Sequence, residues 1–244
     1  MKLLALDTST DVMSLAVQHG DKVFTHTAAG GSETSATLIP AILALMAQAG
    51  LTFNQLDAIA FGRGPGLFTG LRTACAVTQG LAFAANVRVL PIDTLQALAQ
   101  QAFNQLAFAD GSSPPQAPQV VCAALDARMG EVYYGYYNFD SCLSSKYMDY
   151  LPKSPAKMVL PDGLGSFVLA GNVRPTYDAQ LPAALLAAPY ISCAPTASAM
   201  LQLAPQLIAA GGLVDAQDAL PLYMRDKVAQ TTAEREGTAA ATQA

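Results

Sequence analysis

Residues 61–72, FGRGPGLFTGLR, constrain the fold more than any other stretch. Four glycines and one proline fall within ten positions, and an apolar segment comes directly after. The apolar run Leu56–Phe61 before it reads as a buried strand, and Thr69–Ala85 after it as a helix. A strand feeding a helix through so short a loop is the unit of an α/β domain. Glycines also let a ligand approach the backbone, and a helix N-terminus offers free N–H groups to an anion. There are two alternatives, a phosphate cradle or a sharp corner that aims the helix. The loop matches neither standard phosphate motif. Gly70 is followed by Leu71 and Arg72 rather than Lys and Ser or Thr, and Thr69 stands where the dinucleotide fingerprint needs its third glycine. Thr69 is a candidate cap for the helix, with Arg72 in its first turn.

The flanking sequence extends the α/β pattern. Lys2–Leu6, Val12–Gln18 and Lys22–Thr27 read as three strands in a meander, broken at Asp7–Asp11 and at His19-Gly20-Asp21. Glu33–Ala49 reads as a helix that Pro40 kinks or delays. Arg88–Ile92 is a strand and Thr94–Ala107 a third helix. The Pro/Ser-rich stretch 109–119 reads as a linker between residues 1–108 and a second strand-rich unit, 120–195. A helix and return segment at 196–229 pack back on the first unit, and the polar tail 230–244 reads as disordered. Both halves open on strand, Asp, turn, strand (Leu6-Asp7, Leu125-Asp126), which points to two similar subdomains.

Composition limits the functions. A formal net charge of −5 opposes independent nucleic-acid binding. Hydrophobic residues make up 52% of the chain and charged residues only 13%, so part of the surface is suited to cover by a partner. Cys75, Cys122, Cys142 and Cys193 form no C-x-x-C pair and read as reduced thiols of a cytoplasmic protein. No apolar run reads as a signal peptide or a membrane span. His19 and His26, the two histidines, are expected as solvated turn residues, too few for a metal site or a Ser–His unit. Asp126–Glu131 reads as a charged hairpin turn. Asp7, beside Thr8 and Ser9, is a turn former or, in an ATPase, the acid that orients a metal-bound water. Ala76, Gly80 and Ala84, four apart on the second helix, serve either tight core packing or a partner. Residues 141–215 carry no readable role.

Several stretches together resemble one family. LALDTST (4–10), FGRGPGLFTGLR, QGLAFA (79–84), LDARMGEVYY (125–134) and LYMR (222–225) are similar to TsaB, also called YeaZ, the bacterial tRNA threonylcarbamoyladenosine biosynthesis proteins. The resemblance implies an α/β, actin-like ATPase (ASKHA) fold of two mixed-sheet subdomains flanked by helices. It implies a non-catalytic scaffold that is a homodimer alone and pairs with the catalytic TsaD through its first two helices. With the ATPase TsaE, that complex adds threonylcarbamoyl to the adenosine beside the anticodon of ANN-decoding tRNAs. The implied partner surface is Ile39, Ile42, Leu43, Met46, Leu71, Ala76, Gly80 and Ala84. A nucleotide, were one held, would meet Asp7, Thr8, Ser9, Gly64, Gly66, Thr69 and Arg72. No tightly bound cofactor is implied, ATP enters only in the assembled complex, and contact with tRNA is indirect. Catalytic relatives carry a metal-binding H-x-x-x-H pair, whereas Ser32–Leu38 here holds no histidine and has Thr34 where many TsaB sequences keep one. Leu67 replaces the serine of the usual GPGSFTG, which removes a hydroxyl from the loop and favours the corner. The competing functions are an autonomous actin-like ATPase or kinase and a glycoprotease-like metallopeptidase.

Overall fold

The computed structural model describes residues 1–31, 33–107, 120–139 and 144–224. The expected linker 109–119, the expected tail 230–244, Cys142 and Arg225 lie outside the described residues. Among the described residues, ten strands form two five-stranded mixed sheets. The first contains β1 (Lys2–Asp7), β2 (Val12–His19), β3 (Lys22–Ala29), β4 (Ala58–Gly64) and β5 (Val89–Asp93), in the order β3-β2-β1-β4-β5. The second contains β6 (Val120–Arg128), β7 (Glu131–Asn138), β8 (Ser144–Lys153), β9 (Phe167–Gly171) and β10 (Tyr190–Ser192), in the order β8-β7-β6-β9-β10. The two sheets have the same topology. In each, the first strand pairs antiparallel with the second and parallel with the fourth.

Helices α1 (Thr34–Ala49), α2 (Phe68–Ala85), α3 (Thr94–Ala107) and α6 (Ala197–Ala209) are the long ones, with short α4 (Arg174–Tyr177) and α5 (Ala183–Ala187) between β9 and β10. β1 is buried from Leu3 to Asp7 because helices cover both faces of the sheet at that strand, which explains its continuous apolar run. Leu4 and Leu6 face a core shared with Leu38, Ile42, Leu45, Met46 and Ala74 of α1 and α2. Leu3 and Ala5 face a second core with Met200, Leu203 and Ala204 of α6. α3 lies between the sheets: Ala97 joins the first-sheet core, while Leu95, Leu98 and Ala102 pack with Val121, Ala123 and Leu125 of β6.

Several boundaries differ from expectation. α1 does not begin late at Pro40; it runs through the proline from Thr34, with Pro40 on its exposed side. β4 continues to Gly64, three residues into the expected corner. α2 begins at Phe68 with Leu67 as its N-cap, so Thr69 is already the second helical residue and does not cap it. His26 sits in the middle of β3, not in a turn. His19 is exposed, and its Nδ1 donates to the Ala49 carbonyl (2.9 Å) at the C-terminal end of α1.

Candidate functional site

The corner arises directly from close packing. An added Cβ on Gly70 would sit 1.8 Å from the Thr8 carbonyl oxygen, and one on Gly66 2.5 Å from that of Ser9. The space that glycine opens is filled by the β1–β2 turn. The Leu67 N–H, a group an anion would use, donates to the Ser9 carbonyl (2.7 Å), and the Thr8 hydroxyl donates to the Gly70 carbonyl (2.7 Å). Gly64, at φ +118°, lies against the Leu222 carbonyl, and the Leu222 N–H donates to Arg63 (2.7 Å), so the return segment closes the loop from the other side.

Asp7, Thr8 and Ser9 are all buried. Asp7 Oδ1 accepts from both the Ser9 amide (3.0 Å) and hydroxyl (2.7 Å). Its Oδ2 has no hydrogen-bond partner and occupies the space that Gly62 leaves free. Burial pushes the carboxyl up to about 6 against the opposing effect of the Ser9 bonds. Asp93, the residue before α3, caps it through the Gln96 amide (3.1 Å) and accepts from the Tyr137 hydroxyl of the second sheet (3.1 Å). Burial raises its carboxyl too, and its Oδ2 is also without a partner.

Across the cleft, the β6–β7 turn holds Arg128 and Met129 at φ +62° and +58°. Bulky residues avoid this conformation. Arg128 pairs with Asp11 of the β1–β2 turn (2.8 Å) and with Asp126 (3.3 Å), and Asp126 also accepts from Tyr177 (2.8 Å). A cavity of about 280 Å³ lies between this turn, the start of α2 and Leu222–Met224. Among the described residues, no group of three or more His, Cys, Asp or Glu is placed to hold a metal, and no helix is long and apolar enough to cross a membrane.

The second feature is the outer face of α1 and α2. Ile39 (46%), Leu43 (52%) and Phe83 (83%) are exposed, and Ala76, Gly80 and Ala84 are exposed beside them. The small-residue row is therefore not a core seam; an added Cβ on Gly80 meets nothing within 4 Å. Ile42, Met46 and Leu71 are a correction to the expected surface. They are 1–3% exposed because the inner edges of these helices supply the protein's own core. Phe83 was missed by periodicity, although its place three turns after Arg72 puts both on one line of α2. At its C-terminal end the face opens into a hollow of about 710 Å³, bordered by Gln79, Gly80, Phe83, Asn86, Arg88 and Asp215. At the other end, Arg72 lies over the Phe68 ring (3.7 Å to the centroid), and its Nε donates to the Tyr223 hydroxyl (3.1 Å).

Two matching mixed sheets with helices on their faces and a turn from each meeting at a shared cleft define an actin-like α/β protein. Here the helix corner is packed with the chain's own backbone. The family model for TsaD, tRNA N6-adenosine threonylcarbamoyltransferase, matches residues 25–211. A tRNA threonylcarbamoyladenosine biosynthesis protein TsaB from Escherichia coli is 30% identical over 94% of this chain and 96% of that relative. The TsaB of Haemophilus influenzae is 46% identical over 135 residues, 55% of this chain and about half (52%) of that relative's length. The structure of YeaZ from Pseudomonas aeruginosa superposes with a TM-score of 0.80 at 35% identity, covering 91% of this chain and 99% of that one. The chain belongs to the TsaB (YeaZ) family.

Proposed function

We propose that this chain is a non-catalytic partner subunit in the synthesis of threonylcarbamoyladenosine on ANN-decoding tRNAs. It pairs with a TsaD-like catalytic subunit, a TsaE-like ATPase joins the complex, and the chain forms a homodimer when alone. The observation that carries the reading is the uncharged, exposed two-helix face built on Ile39, Leu43, Ala76, Gly80 and Ala84. Small residues there let a partner helix approach closely, and the exposed apolar side chains supply the area to bury. The names of its relatives support the pathway. The complex acts in the cytoplasm, tRNA is reached indirectly, and ATP engages only in the assembled complex.

The decisive experiment is co-purification with the TsaD-like protein of the same organism, followed by a tRNA modification assay with and without this chain. Modification that proceeds equally well without it overturns the proposal. Gly80→Leu and Ala76→Glu are expected to break the dimer and leave the fold intact, because both positions are exposed. An unchanged mass in light scattering refutes that surface. Low-micromolar binding of Mg-ATP to the isolated chain supports the ATPase or kinase alternative. Chelator-sensitive peptide hydrolysis supports the metallopeptidase.

A further inference from the structure

Helices α1 and α2 together carry one charged side chain, Arg72. It stands at the head of the exposed stripe that continues through Ala76, Gly80 and Phe83. A single cation on an otherwise uncharged face that a partner covers must either stay at the wet rim or find an anion, because burying it unpaired is costly.

The arrangement of Arg72 favours pairing. Its guanidinium carbon lies 3.7 Å from the centre of the Phe68 ring and 5.8 Å from that of Tyr223, its Nε donates to the Tyr223 hydroxyl, and the two rings pack 4.9 Å apart. Among the described residues Arg72 makes no ion pair, and its terminal nitrogens have no hydrogen bond within the chain. The fork is thus already oriented, so little rotamer freedom remains to be lost on binding. The Phe68 contact and the Tyr223 bond hold the guanidinium and occupy Nε, leaving the terminal amino groups for a planar, two-oxygen acceptor.

We propose that Arg72 sets the register of the two-helix interface by taking a carboxylate, an Asp or Glu side chain, from the TsaD-like partner. This rests on the reading that such a partner covers the α1–α2 face. A helix lying in the Ala76–Gly80 trough then meets a charge requirement at the Arg72 end and an aromatic one at Phe83. Three helical turns, about 16 Å, separate them. Such a pair rejects helices that are apolar throughout, which leave the guanidinium unpaired, so it acts on partner choice more than on total affinity. A carboxylate is favoured over an RNA phosphate because the chain has a net charge of −5 and, among the described residues, α1 and α2 carry no second cation.

The test is isothermal titration calorimetry of the full chain against the full-length TsaD-like protein at low and high salt. Arg72→Met keeps the unbranched stem and removes the fork. It is expected to weaken the heterodimer about tenfold or more and to flatten its salt dependence. Arg72→Lys is expected between the two, because a point charge replaces the bidentate fork. Tyr223→Phe frees Nε while leaving the ring and is expected to cost about two- to fivefold. Wild-type affinity in Arg72→Met overturns the proposal, as does a loss of affinity with an unchanged salt dependence. So does a loss of tRNA binding by the complex with partner affinity unchanged, which assigns Arg72 to phosphate. Ala76→Glu separates the two claims. If it leaves the heterodimer intact, the interface reading and this proposal both fall. If it breaks the heterodimer while Arg72→Met does not, only this proposal falls.

Discussion

The β1–β2 turn and the β6–β7 turn occupy equivalent places in two sheets of identical topology, with an aspartate at the end of β1 (Asp7) and another two residues before the end of β6 (Asp126). Their environments are opposite. Asp7, Thr8 and Ser9 are sealed beneath the glycine corner, and Asp7 keeps one oxygen without a partner. The β6–β7 turn is exposed, places Arg128 and Met129 in the left-handed region despite their side chains, and is tied to the first sheet by Arg128. One topology thus supplies a buried joint in one half and an exposed bridge in the other. The element after the fourth strand of each sheet decides the difference. In the first half a long helix begins there, and Gly66 before it and Gly70 in its first turn close over the turn, whereas in the second half only short α4 succeeds β9.

Substitutions at the two turns probe that contrast. Gly70→Ala should have the largest effect, a loss of about 3 kcal/mol or more in urea denaturation, because its Cβ would overlap backbone that cannot move aside. Gly130→Ala, in the exposed turn with open space around it, should cost only about 1 kcal/mol from its positive φ. Equal losses at the two sites would break the contrast.

The buried turn also carries a pH dependence. Asp7 titrates near 6 in the folded protein, against about 3.9 when unfolded. The folded state holds the proton more tightly, so stability is greatest below the unfolded value and is lost as pH rises through about 6. The full effect is at most about 3 kcal/mol. The wild type should be less stable at about pH 7 than at about pH 5, and Asp7→Asn should remove most of that slope. A variant with the wild-type slope would show that Asp7 is not the buried group responsible.

At the exposed turn, Met129→Gly should stabilise by about 1 kcal/mol in the same denaturation assay by relieving a left-handed residue. Loss of stability would mean that contacts of the Met129 side chain outweigh the conformational cost. Leu67→Ser should have the smallest effect, a gain of about 0.5–1 kcal/mol, because the α2 N-cap now has no side-chain hydrogen bond. No change in thermal midpoint would show that the Ser9 backbone contact already satisfies the corner.

Much of the fold was legible. The strands around Asp7 and Asp126 and the three helices of the first half come from apolar pattern and from turn and glycine placement, and the likeness of the two halves from their shared strand-Asp-turn-strand opening. The site was less so. Ile42 and Met46 share helical spacing with Ile39 and Leu43, and spacing alone does not say which edge of α1 meets its own sheet and which meets solvent. Tyr223 could not be joined to Arg72 from sequence, because 151 residues separate them.

The sequence by itself determined that a strand enters a glycine-rich corner and leaves as a helix with one charge, because backbone freedom, periodicity and residue type are local properties. Only the tertiary structure decided what fills the corner, because two backbones 62 residues apart must meet before the glycines at 66 and 70 have a purpose. It likewise decided that Arg72 and the stripe after it are exposed among the described residues, since exposure is a relation between surfaces and no residue carries it alone.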